Sequence, residues 1–276
     1  MSRNRKILLA LAILALLMAF HSPVLADPIK VLGIDIAGTW GTNPYYMPPS
    51  QYSTVDQLNN VVFTQVTTSA FASVDLYQYD VLYVGETFLD GAVSLVADKT
   101  LSALKARETD IAAWLFAGHG LLALSEPIGD GRYDWLPDAV QPTVGDLVHD
   151  DTVWIRNPAH PVMESLTSQG LSGWGTSSHG FISDAGLDVL VRADNNDTSR
   201  PITLAGTYGQ GKIVLTLQDP DWHNQYAPKP QQVAFVQNAI DWAATPVPEP
   251  ATLLLLGSGL AGLAGFRLRP KRAGTK

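Results

Sequence analysis

LSALKARETDIAAWLFAGHGLLALSE, residues 101–126, holds a helical rhythm and an extended one in a single stretch. Leu101, Leu104, Ile111, Trp114 and Leu115 recur at helical spacing, with Lys105, Arg107, Glu108 and Asp110 on the other side, which predicts an amphipathic helix. Gly118 follows the last apolar turn, where a left-handed residue costs a side chain about 1 kcal/mol or more, so the helix is expected to stop there. Leu121 to Leu124 is a short continuous apolar run, the pattern of a strand covered on both faces in a parallel sheet. Ser125 and Glu126 sit at its carboxyl end. In open α/β sheets ligands bind outside that edge, so a site is expected near Ser125.

Working outward, Ile29 to Ile36 reads as a β-branched strand ending in Asp35, Val61 to Val66 as a second, and Asp80 to Val84 as a third that leads into Gly85 and Glu86. The Gly-, Pro- and aromatic-rich segment after the first strand is a long loop on the ligand edge. These βα units predict a mostly parallel, doubly wound, flavodoxin-like sheet. From Gly129 the rhythm breaks into a surface excursion with at best a short strand at Val153 to Arg156. Leu187 to Ala193, Ile202 to Tyr208 and Ile213 to Leu217 then read as strands. Tyr208-Gly209-Gln210-Gly211-Lys212 signals a hairpin that makes this part of the sheet mixed. A helix from Gln231 to Ala243 closes the body.

Both ends carry addresses. Arg3, Arg5 and Lys6 precede an apolar run from Ile7 to Phe20, and Leu25-Ala26 offers a cleavage site, so residues 1–26 read as a secretory signal peptide. At the other end Val247-Pro248-Glu249-Pro250 leads into an apolar helix at about 251–268 and then Arg267, Arg269, Lys271 and Arg272. The basic cluster is expected to stay cytoplasmic, which leaves the body outside. This three-part tail, 247–276, resembles the PEP-CTERM sorting signal of Gram-negative bacteria. That resemblance implies export through the secretion machinery and across the inner membrane, anchoring by the helix, processing by an exosortase, and release to the envelope or extracellular matrix.

The body between them, 27–246, is long enough for one domain with a substantial core. It keeps 10 of the 18 basic and 25 of the 26 acidic residues, a net charge of about −15 that argues against binding nucleic acid. No cysteine occurs, which excludes disulfides, thiolate metal sites and a cysteine nucleophile.

The order DVLYVGE, helix, AGHGLLALSE, His160-Pro161, GQGKIVLTLQD and final helix resembles the class I glutamine-amidotransferase-like fold, particularly its trehalose-utilisation-protein-like branches. In catalytic members the strand carrying AGHGLLALSE ends in a nucleophilic Cys, whose place here falls on Ser125. Their later His-acid pair corresponds to Leu217-Gln218-Asp219-Pro220-Asp221, with His223 displaced beyond it. These two departures from the pattern point to a degenerate domain, and the leading expectation is that it binds a small molecule or glycan.

Candidate ligand-binding residues are Asp35, Gly85, Glu86, Ser125, Trp174, His179, Trp222 and His223. Trp40, Tyr45, Tyr46 and Trp135 join Trp174 and Trp222 as loop aromatics that either stack on sugars or pack under the loops. A hydrolase reading pairs Ser125 with His223 or His179 as base and Asp221 or Glu86 as orienter. No organic cofactor is expected. Asp219, Asp221 and His223, alternating just past a strand, offer carboxylate and imidazole ligands for a divalent cation. A third reading is a structural matrix protein without a small-molecule site.

Overall fold

A computed structural model describes residues 27–35, 54–85, 94–124, 133–145, 150–175, 177–193, 200–226 and 228–247, and for residues 35, 94–99, 222, 225 and 226 the backbone alone. One eight-stranded sheet carries the fold: β1 (Ile29–Asp35), β2 (Val61–Thr67), β3 (Val81–Val84), β4 (Gly120–Leu124), β5 (Trp154–Ile155), β6 (Asp188–Arg192), β7 (Pro201–Tyr208) and β8 (Gly211–Thr216). Its spatial order is β2-β1-β3-β4-β8-β7-β6-β5. The first five in that order are parallel, and the last three pair antiparallel. The parallel half has the flavodoxin-like order, so the carboxyl ends of β1, β3, β4 and β8 share one edge.

Burial follows the sequence logic. Every residue of β3 and β4 is buried, as expected of central strands covered on both faces. Among the described residues four helices of seven residues or more pack around the sheet, beside a single turn at Thr68–Phe71: α1 (Ser94–Lys105), α2 (Glu108–Phe116), α3 (Pro220–Tyr226) and α4 (Pro230–Ala243). Gly120 pairs with Lys212, so a side chain on Gly120 and one on Gly211 would point to opposite faces. A Cβ on Gly120 would strike Ala243 of α4, and one on Gly211 would strike Leu115 of α2. The sheet is thus wound on both sides.

The amphipathic helix expected from Leu101 onward is two helices, broken at Ala106-Arg107. The apolar spacing runs through the break unaltered, which hides it in the sequence. Tertiary contacts supply the cause: the Arg107 guanidinium donates to the carbonyls of Phe71 and Val74, both at 2.8 Å. Gly118 then takes φ +112°, the region that favours glycine, and ends the second helix. The β7–β8 hairpin turns on Gly209 at φ +62°, as a two-residue turn with glycine first requires.

Among the described residues no helix is long and apolar enough to cross a membrane. The signal peptide, the helix expected at about 251–268, Pro248 to Pro250, Trp40, Tyr45, Tyr46, Glu86 and Ser125 lie outside the described residues.

Candidate functional site

The sequence Gln218-Asp219-Pro220-Asp221-Trp222-His223 leaves β8 at the carboxyl edge. Instead of an extended turn, it begins α3, with Pro220 at the first helical position, where its missing N–H is harmless. That change of geometry decides which side chains meet. On a helix Asp219 and His223 are one turn apart and share a side, whereas Asp221 is rotated about 200° from Asp219. The His223 N–H donates to the Asp219 carbonyl at 3.3 Å, which closes that turn.

His179 arrives from the long excursion. Its backbone N–H donates to the Leu217 carbonyl at 3.1 Å, holding it beside the end of β8. The chain before it is tied down by neighbouring acids: the Ser177 and Ser178 N–H groups both donate to the Asp150 carbonyl at 2.9 Å, and the Ser177 hydroxyl donates to Asp151 at 3.1 Å. His179 Nε2 lies 3.0 Å and His223 Nε2 3.1 Å from the same oxygen, Oδ1, of Asp219. The two imidazoles face each other at 6.1 Å between centroids and 22° between planes.

All three groups are buried, Asp219 to 2% exposure. Burial opposes ionisation of Asp219, but the two imidazoles outweigh it and hold the carboxyl below its ordinary pKa. The nitrogens are at ion-pair distance from Oδ1 without the alignment of hydrogen bonds, and Oδ2 has no hydrogen-bond partner among the described residues. A buried carboxylate left in that condition costs free energy unless something else satisfies it. One ligand atom from each of His179, Asp219 and His223 lies within 4.8 Å of the others. Two imidazoles and a carboxylate suit zinc or a similar first-row dication, while magnesium and calcium favour oxygen-only sets. The same half-assembly, an imidazole oriented by a buried acid, is also what a nucleophile needs for activation.

Asp221 turns elsewhere. Its Oδ1 accepts from the Thr54 N–H at 2.9 Å and from the Thr54 hydroxyl, and its Oδ2 accepts from the Tyr83 hydroxyl of β3. Burial pushes its pKa up to about 6 against these hydrogen bonds, with the nearby charge of Asp219 adding to the rise. Asp221 therefore clamps α3 to β3 and to the turn before Val55, and His179 takes the third place beside Asp219 and His223. Tyr83 and Thr54 carried no functional signal in the sequence, although a tyrosine in a fully buried strand must find a partner for its hydroxyl.

Asp35 ends β1 and Gly85 follows β3 at the same edge. Trp174 is 3% exposed, with its indole N–H donating to the Gly170 carbonyl at 3.1 Å and its ring 6.1 Å from that of His223. Trp135 is equally enclosed. Both rings belong to the hydrophobic core.

The fold is similar to that of cytoplasmic protein STM3548 from Salmonella typhimurium, with a TM-score of 0.54 and 14% identity over 80% of this chain and 100% of that one. It is also similar to cytoplasmic protein STM1381 from Salmonella typhimurium LT2, with a TM-score of 0.51 and 13% identity over 78% of this chain and 99% of that one. At such identities the likeness concerns the fold alone. No curated protein matches the sequence. Residues 246–270 match the PEP-CTERM protein-sorting motif, which implies that the chain is exported and handed to the exosortase sorting machinery.

Proposed function

We propose that this exported protein is a metal-binding envelope protein, its α/β domain holding a divalent first-row cation on His179, Asp219 and His223. The observation that carries this reading is the convergence of two buried imidazoles on one buried carboxylate that has no hydrogen-bond partner among the described residues. Three protein ligands leave at least one coordination position for water or an oxygen-bearing ligand, so a small molecule or glycan hydroxyl would bind through the ion. The domain is a degenerate member of the amidotransferase-like class, with Ser125 where the nucleophilic Cys would stand. The segment 251–268 anchors it with the body outside the cytoplasm until processing.

The test is metal content. Purified protein dialysed against zinc should retain one ion per chain by inductively coupled plasma mass spectrometry. His179→Ala and His223→Ala should lose it, and Asp221→Asn should keep it. Retention in both histidine variants would overturn the reading. A second reading, a serine hydrolase, draws support from the Asp219–His223 pair lying past β8, the strand next to the one that precedes Ser125. Labelling of Ser125 by a fluorophosphonate, abolished in His223→Ala and insensitive to chelator, would favour it over the metal site.

A further inference from the structure

The edge opposite the candidate site has its own character. Among the described residues four large hydrophobic side chains are exposed: Val62, Tyr77, Phe116 and Trp154. Three of them lie at the amino edge of the parallel strands. Val62 is the second residue of β2, Tyr77 sits in the turn that leads into β3, and Phe116 ends α2 just before β4. Tyr77 and Phe116 are 57% and 60% exposed. Each is nevertheless positioned: Tyr77 packs edge-on against His119 at 5.5 Å, His119 stacks on Trp114 at 4.9 Å, and Phe116 meets Tyr208 edge-on at 5.8 Å. These are aromatic side chains held in place by their neighbours while more than half of each ring side chain stays exposed.

The sorting tail leaves from the same place. The Gln210 N–H donates to the Phe116 carbonyl at 3.1 Å, and the Val247 N–H donates to the Gln210 carbonyl at 2.8 Å. Val247, the first residue of the Val-Pro-Glu-Pro motif, is thus two backbone hydrogen bonds from Phe116. The apolar run begins at Ala251, and four residues of fully extended chain reach about 14 Å at most. A bilayer entered by that run therefore begins within about 14 Å of Val247, which is tied through Gln210 to Phe116. Tyrosine and other aromatic side chains favour the membrane–water interface, where an apolar ring and a polar rim are both satisfied. The strongly acidic body offers no general attraction to anionic lipid, so the contact would depend on these rings.

We propose that the amino edge, through Val62, Tyr77 and Phe116, rests on the outer surface of the membrane while the tail is inserted, and that His179, Asp219 and His223 consequently face away from it. The occupant of this face is a lipid surface. The inference rests on the anchoring reading above and adds a fixed orientation to it.

Because the chain has no cysteine, single cysteines report position without background. Tyr77→Cys and Phe116→Cys probe the amino edge. Ser69→Cys, exposed just after β2 ends beside Asp35, probes the carboxyl edge. Each full-length variant would carry an environment-sensitive fluorophore in phosphatidylcholine vesicles containing nitroxide-headgroup lipid. Quenching severalfold stronger at positions 77 and 116 than at 69 is expected. Equal quenching at all three, in protein that floats with the vesicles, would overturn the orientation. Protein that fails to float would overturn the anchoring reading, and the orientation with it. Shielding of positions 77 and 116 from aqueous iodide without lipid quenching would place the chain's own apolar tail on this face and also overturn the proposal.

Discussion

Asp221 accepts its hydrogen bonds in a fully enclosed place, and its pKa near 6 makes it a pH-dependent element of stability. A carboxyl whose folded pKa lies above its unfolded value of 3.8 holds a proton that the unfolded chain has already lost between those two pH values. The stability it adds is complete below about pH 4 and fades as the pH rises to about 6, by about 3 kcal/mol. Asp219, His119 and His160 have lowered pKa values and contribute with the opposite slope, so the wild-type curve alone does not isolate Asp221. The expected outcome is that Asp221→Asn gains on the wild type between pH 4 and pH 6 in urea unfolding with chelator present. A difference independent of pH would refute the assignment. Part of this site was legible in the sequence, because Asp219, Asp221 and His223 stand together. Their division of labour was not, since alternation means one face in a strand and two sides in a helix. His179 stands roughly 40 residues away, and only the fold brings it beside Asp219.

The break between α1 and α2 illustrates how an element is set from outside itself. Arg107 is nearly enclosed, and its guanidinium joins the carbonyls of Phe71 and Val74, the first of which also accepts from the Val74 N–H. Arg107→Ala should therefore destabilise the protein by about 2 to 3 kcal/mol in chemical denaturation. Lys105→Ala, which removes an exposed ion pair with Glu108, should leave stability unchanged within error. Equal effects would mean that the break is a local property of the helix. Gly209 poses the complementary case. It has a positive φ, and a Cβ there would lie 2.7 Å from the Phe116 Cα, so Gly209→Ala should cost more than the ~1 kcal/mol of a left-handed alanine and loosen the hairpin from α2. The strands β1 to β4 and β6 to β8 were readable because β-branched and apolar runs report burial directly. The helix break was invisible because apolar spacing reports which side is buried and says nothing of where the axis bends.

At the scale of the molecule, the parallel half followed from repeated βα units and the mixed half from one glycine-rich hairpin. Polar loop composition concealed how thoroughly the excursion between β4 and β8 is buried: Tyr133, Trp135, Val153, Met163 and Trp174 all belong to the core. Deleting residues 247–276 should move the protein from the membrane to the soluble fraction, measured by fractionation, and retention in the membrane would contradict anchoring by the tail. Outside the cytoplasm a domain without cysteine has no covalent cross-link between distant parts of its chain. An ion shared by His179 on the excursion and by Asp219 and His223 beyond β8 would close a loop of roughly 40 residues, as a disulfide does. Saturation at a hundred times the dissociation constant would add about 2.7 kcal/mol to folding. Chelation should accordingly lower the thermal midpoint of the wild type and leave that of His179→Ala where it was. The His179 N–H bond to Leu217 would then be the seam along which a cysteine-free chain is riveted shut by an ion and, when the ion is withdrawn, opens first.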